Sequence, residues 1–217
     1  MMRFRHYVLA GVAFILAASS ARAQAPAGLD SATVAAIEPI IARARAARLP
    51  VDLLYARARQ GQVSRLPSAR IQAAVQKLAE RLETANDALA PNATPEELRG
   101  AADALQSGVG RETLKLMREA ARDASLAVPL GVLTQLVARG VPVEKASVQI
   151  VDLLQRGATP THFIALDDRV RADVLAGKRP DESLDLRLKG IFPNLPQSIN
   201  AADVTTLQNA GGPRRPR

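Results

Sequence analysis

The chain is punctuated by glycine and proline at intervals that suit helices. Residues 128–160 show this most plainly: Val128-Pro129, a helix-length run, Arg139-Gly140-Val141-Pro142, a second run, and then Arg156-Gly157-Ala158-Thr159-Pro160. Glycine accepts the left-handed conformation that closes a helix, and proline fits a first turn whose amide has no intrahelical acceptor. Between these marks Leu133, Leu136 and Val137 form one apolar stripe, and Ala146, Ile150, Leu153 and Leu154 form another. Stops at Gly108, Ala124, Gly140, Gly157 and Gly177 fall 16, 16, 17 and 20 residues apart. A pair of such helices would repeat at roughly 33 residues, a period typical of helical arrays.

The expected fold is therefore all-α. It is either an irregular helical bundle or a short α-solenoid-like stack of antiparallel helical hairpins, since short connections make successive helices neighbours. Residues 30–190 are read as one helical domain, preceded by a flexible lead-in at 24–29 and followed by a poorly ordered Pro/Gly/Arg tail at 191–217. Pro39 is expected to start or kink the continuation of the first helix, and Gly61 to stop the second. Thr94-Pro95-Glu96-Glu97 has the pattern of a capping box, with Thr94 as the cap and Glu97 reaching back. The longest helical signal covers residues 68–89, where Ile71, Val75, Leu78, Leu82, Ala85 and Leu89 recur at alternating spacings of 4 and 3. That stripe suits packing within the domain or the seam of a homodimer.

The first residues carry an export signal. Arg3 and Arg5 precede a charge-free apolar run from Tyr7 to Ala18, and Ala21-Arg22-Ala23 supplies the small-residue cleavage pattern. The apolar run is 12 residues long, short of the roughly 20 that span a bilayer as a helix. Residues 1–23 are accordingly read as a signal peptide cleaved near Ala23, with a periplasmic or secreted product. The chain has no cysteine. Neither disulfides nor thiolate metal sites can stabilise it, although an exported compartment would permit disulfides.

Charge narrows the partners. The formal net charge of +8 falls to +5 once Arg3, Arg5 and Arg22 leave with the signal, and to +2 without Arg214, Arg215 and Arg217. A field that size gives no case for specific nucleic-acid binding. The three terminal arginines are candidate contacts for an anionic polymer or lipid headgroup, together with Arg43, Arg45, Arg57 and Arg59.

Catalytic chemistry has little to work with. Outside the signal the only histidine is His162, whose neighbours one turn on are Ala165 and Leu166. No Gly-x-Ser-x-Gly elbow, Ser-x-x-Lys pair or phosphate-binding glycine loop occurs. Carboxylates gather at Glu96-Glu97, at Asp167-Asp168-Asp173 and at Asp181-Glu182-Asp185. A carboxylate-dependent hydrolase would need two of them to converge, but Arg171 stands at ordinary ion-pair spacing from Asp167 and Asp168. No catalytic, cofactor-binding or metal-binding residue is assigned. The reading is an exported, non-catalytic helical interaction or scaffold protein whose partner is another envelope or secreted protein. On N-terminal sequencing of protein recovered from the envelope of a bacterial host, the mature chain should begin at Gln24. Ala23→Tyr should leave the precursor at full mass.

Overall fold

The computed structural model describes residues 28–195. The signal segment and the lead-in up to residue 27 lie outside the described residues, as does the tail from 196 on. Among the described residues every regular element is helical. The helices are α1 (Ser31–Ala46), α2 (Val51–Val63), α3 (Ser68–Leu89), α4 (Pro95–Gln106), α5 (Arg111–Ala121), α6 (Ala127–Ala138), α7 (Val143–Gln155), α8 (Pro160–Leu175) and α9 (Pro180–Ile191). A 3-10 turn (Phe192–Asn194) follows α9.

One device ends most of these helices. Arg48, Arg65, Gly108, Gly140, Gly157 and Gly177 all take positive φ. The next residue then donates its amide to the carbonyl five residues back: Leu49 to Ala44, Leu66 to Gly61, Val109 to Ala104, Val141 to Leu136, Ala158 to Leu153 and Lys178 to Asp173, all at 2.9–3.1 Å. This is the Schellman arrangement, which satisfies carbonyls that the helix itself leaves open. Proline follows two or three residues after the left-handed position at five of these six turns, at positions 50, 67, 142, 160 and 180. The sixth, after Gly108, leads into α5 without one.

Two local expectations need correcting. The second helix does not stop at Gly61; it runs to Val63, and Arg65 takes the left-handed position. Gly61 instead lets α3 approach, because a Cβ there would lie 2.8 Å from Ile71 Cγ1. Pro39 sits inside a continuous α1. At the far end, residues 191–195 do not belong to a poorly ordered tail: Ile191 completes α9, and Ile191 and Leu195 are both buried against the core.

Every well-packed pair joins helices one or two apart in sequence. The odd-numbered helices form one row, α1 on α3, α3 on α5 and α5 on α7. In the even row α4 packs on α6 and α6 on α8. The described helices thus progress in one direction, as a short stack does. The two rows face each other over a core of Leu, Ile, Val and Ala, with Phe163 and Met117 as its bulkiest exceptions. The stripe on α3 lies at its centre: Ile71, Val75, Leu82, Ala85 and Leu89 are buried and Leu78 partly so. Its neighbours are α1, α2, α4 and α5 of the same chain, so the surface that a coiled-coil partner would use is already occupied. No described helix is long and apolar enough to cross a membrane.

Leu82→Ala removes a fully buried side chain at this centre and should cost about 3 kcal/mol. Gly140→Ala should cost only about 1 kcal/mol, the backbone strain of a left-handed alanine. Its new Cβ would meet nothing closer than Pro180 Cγ at 3.7 Å. Urea unfolding of both variants against the parent chain measures each value.

Candidate functional site

The acidic clusters are occupied structurally. Glu97 is 2% exposed. It accepts from its cap residue Thr94 N at 2.9 Å, from Leu126 N at the start of α6 at 2.7 Å and from Arg118 of α5 at 2.8 Å. Thr94 Oγ1 completes the capping box by accepting from Glu97 N at 3.2 Å. Burial pushes the Glu97 carboxyl up, but the amides of Leu126 and Thr94 and the Arg118 guanidinium outweigh it and hold it below its usual value.

Asp173 is comparably enclosed. Arg187 of α9 grips it with two bonds of 2.7 Å, and Lys178 adds a third at 3.0 Å. The bonds from Arg187 and Lys178 overcome burial and hold its carboxyl well below the usual carboxylate range.

The remaining acids do not converge either. Asp167 binds Arg139 at the end of α6 through both oxygens, so its partner lies across the stack and not at Arg171. Asp168 takes Arg171 at 3.1 Å, the pairing that the helical spacing implies. Asp181 and Glu182 share Arg179, each at 3.1 Å. Asp185 meets Lys145 of α7 at 2.6 Å, and Lys145 also donates to the Asp181 carbonyl at 3.0 Å. His162 serves as a cap: its Nδ1 accepts from Thr159 N at 3.1 Å. Among the described residues no group of three or more His, Asp or Glu is placed to hold a metal ion.

What remains is a cleft where the even row is interrupted. Helix α2 packs mainly on α1 and α3, and α4 mainly on α3 and α6, with no extensive contact between α2 and α4. The space between α2 and α4, floored by α3, has a volume of about 470 Å³. Leu53, Ala56, Arg57 and Gln60 form its α2 wall, and Arg99, Ala102, Asp103 and Gln106 its α4 wall. Each set follows the spacing i, i+3, i+4, i+7, so each wall is one continuous helix face. Leu78 and Arg81 rise from the floor. A second hollow of about 430 Å³ continues it over Arg70, Ala73, Ala74 and Lys77, sharing Arg57, Arg81 and Gln106.

No protein-family model, curated protein or solved structure matches the chain. The site must be read from its own chemistry.

The cleft brings together residues that the sequence scatters. Of the arginines singled out by sequence, Arg57 lines it; Arg43, Arg45 and Arg59 are exposed elsewhere. Arg214, Arg215 and Arg217 lie outside the described residues. Arg70, Lys77, Arg81 and Arg99 were missed. Three of them did leave a signal, because 70, 77 and 81 share one face of a helix. Arg57 and Arg99 join them only through the fold. A smaller hollow of about 360 Å³ between α5 and α7 is mostly apolar, with Leu116 and Val148 at its rim, 49% and 63% exposed.

The buried acids set a pH dependence. Folding lowers the pKa of Glu97 and Asp173, so the stability they add is complete above the ordinary carboxylate value and is lost as pH falls through the lower folded one. The urea midpoint of the parent chain should hold from pH 8 to about 5 and decline below about 4. For Asp173→Asn it should start lower and decline less. Glu97→Gln should cost about 2 kcal/mol at pH 7, as expected for lost hydrogen bonds to a charged group.

Proposed function

We propose that this is an exported, non-catalytic helical scaffold that binds another envelope or secreted protein in the cleft between α2 and α4. The observation that carries the reading is the interruption of the even row. The second half of the stack pairs most of its cations with its own carboxylates and leaves only the smaller α5–α7 hollow, whereas here a concave surface with two helical walls combines apolar and basic side chains. Concave faces of helical stacks are recognition surfaces because neighbouring helices hold their side chains in fixed register. Export follows from the basic segment, apolar run and Ala21-Arg22-Ala23 site at the N-terminus. Of the acids that a hydrolase could use, all but Glu96 are engaged with a cation or a cap, which favours binding over catalysis.

A photo-crosslinking residue in place of Ala56, an exposed position on the cleft wall, tests the reading in intact cells. Irradiation should give a covalent adduct with a second protein. The same residue in place of Ile164, 51% exposed on α8, should give none. No adduct from position 56, or equal adducts from both, would set the cleft aside as the binding surface.

A further inference from the structure

Charge in this chain is distributed in a way that packing alone does not explain. From α5 onward most cations meet a carboxylate: Lys115, Arg118, Arg139, Lys145, Arg156, Arg171, Lys178, Arg179 and Arg187 are all in ion pairs. Where α7 and α9 stand apart, the chain closes the gap itself with Lys145 on Asp185 and on the Asp181 carbonyl. Between α2 and α4 it does the opposite. Arg57, Arg70, Lys77, Arg81 and Arg99 line one continuous groove in which Asp103 is the single carboxylate among the described residues; none of the five forms an ion pair with a described residue, and Arg57 donates only to neutral Gln60 at 2.8 Å.

Two details show that this costs the fold something. Lys77 and Arg81 stand four residues apart on one helix face, a spacing at which like charges repel. Arg81 Nε is buried without a hydrogen-bond partner, as is Arg118 Nε, an unfavourable state for a donor. The repulsion is relieved by the arrival of negative charge in the groove.

The form of that charge follows from the rest of the lining. Leu53, Ala56 and Ala102 on the walls and Leu78 on the floor give the groove an apolar surface between its cations, which a free polyanion would leave uncovered. The groove is recessed between two helices, so a flat bilayer would meet its rim and not its floor. It lies where α2 and α4 make no extensive contact, and its walls run along helix faces. The geometry points to an acidic amphipathic helix of another protein as the occupant, its apolar side on Leu53 and Leu78 and its carboxylates on Arg57, Arg81 and Arg99. Arg forks suit carboxylates geometrically, and helix-in-groove docking uses this division of labour. The inference rests on the binding reading above and adds the chemistry of the partner.

The test uses the full chain and a labelled, stapled amphipathic peptide of 13 residues, the length of α2, with Leu and Ala on one face and Glu on the other. Fluorescence anisotropy should show saturable binding that weakens as salt rises. A counterpart with Gln for every Glu should bind about tenfold or more weakly, and the triple variant Arg57→Gln/Arg81→Gln/Arg99→Gln should lose a similar factor. The variant Arg43→Gln/Arg45→Gln/Arg59→Gln removes as much charge outside the groove and should bind as the parent does. Thermal melts confirm that each variant is folded; should the triple variant melt early, Arg57→Gln/Arg99→Gln replaces it, since both side chains are exposed. Equal binding of the Gln peptide, equal loss in the two triple variants, or tighter binding of polyphosphate or of anionic vesicles would overturn the assignment. An adduct at position 56 that persists when the groove cations are neutralised would sink the acidic partner while leaving the binding reading intact.

Discussion

Everything in this fold depends on closing helices in a defined way. With no cysteine to cross-link the chain and no strand ladder among the described residues, the open carbonyls at each helix end must be satisfied locally. Six of the turns do so with one left-handed residue and one amide reaching back five positions. The same turn redirects the chain and presents the next residue to the core, as at Leu49, Val109 and Val141. Stacking follows because each new helix begins close to the end of the last. Two connections lack the device: α3–α4 relies on the Thr94 cap and on Glu97, and at the end of α5 Arg122 takes positive φ without the amide reaching back five positions.

Much of this was legible in the sequence because it is local chemistry. The bounds of α3, the Thr94–Glu97 box and the proline starts are set by residues within a few positions of one another. The errors are local too. Gly61 looks like a helix stop because glycine is the favoured left-handed residue, yet the close passage of Ile71 is what requires it there, and Arg65 accepts the strained turn. Long-range arrangement was less legible. Nothing in the residues 167–171 indicates that Asp167 will reach back to Arg139, and the spacing favoured Arg171 instead. The cleft was invisible for the same reason: its walls lie 39 or more positions apart along the chain, and the opening between α2 and α4 is a property of the stack alone.

The halves of the molecule use arginine differently. In the second half Arg118, Arg139 and Arg187 bind carboxylates on other helices, so their charge is spent on joining elements. Arg156 lies over the Phe192 ring at 4.7 Å and helps to seat the turn after α9. In the first half the guanidinium groups of Arg57 and Arg99 are exposed and face a shared hollow. The modest net charge of the chain conceals this division, because an average over all residues does not register where opposite charges meet.

Glu97 has a consequence beyond its own bonds. In a stack whose helices touch only near neighbours, disorder beginning at one end can spread step by step, and each junction decides whether it goes further. One carboxylate here holds the first turn of α4, a side chain of α5 and the first amide of α6 together. Loosening any one of the three exposes the same buried charge, so they share a single opening cost. The groove lies on one side of that junction and the self-paired helices on the other. The junction thus acts as a firebreak: the helices around the groove can loosen without unzipping those beyond it.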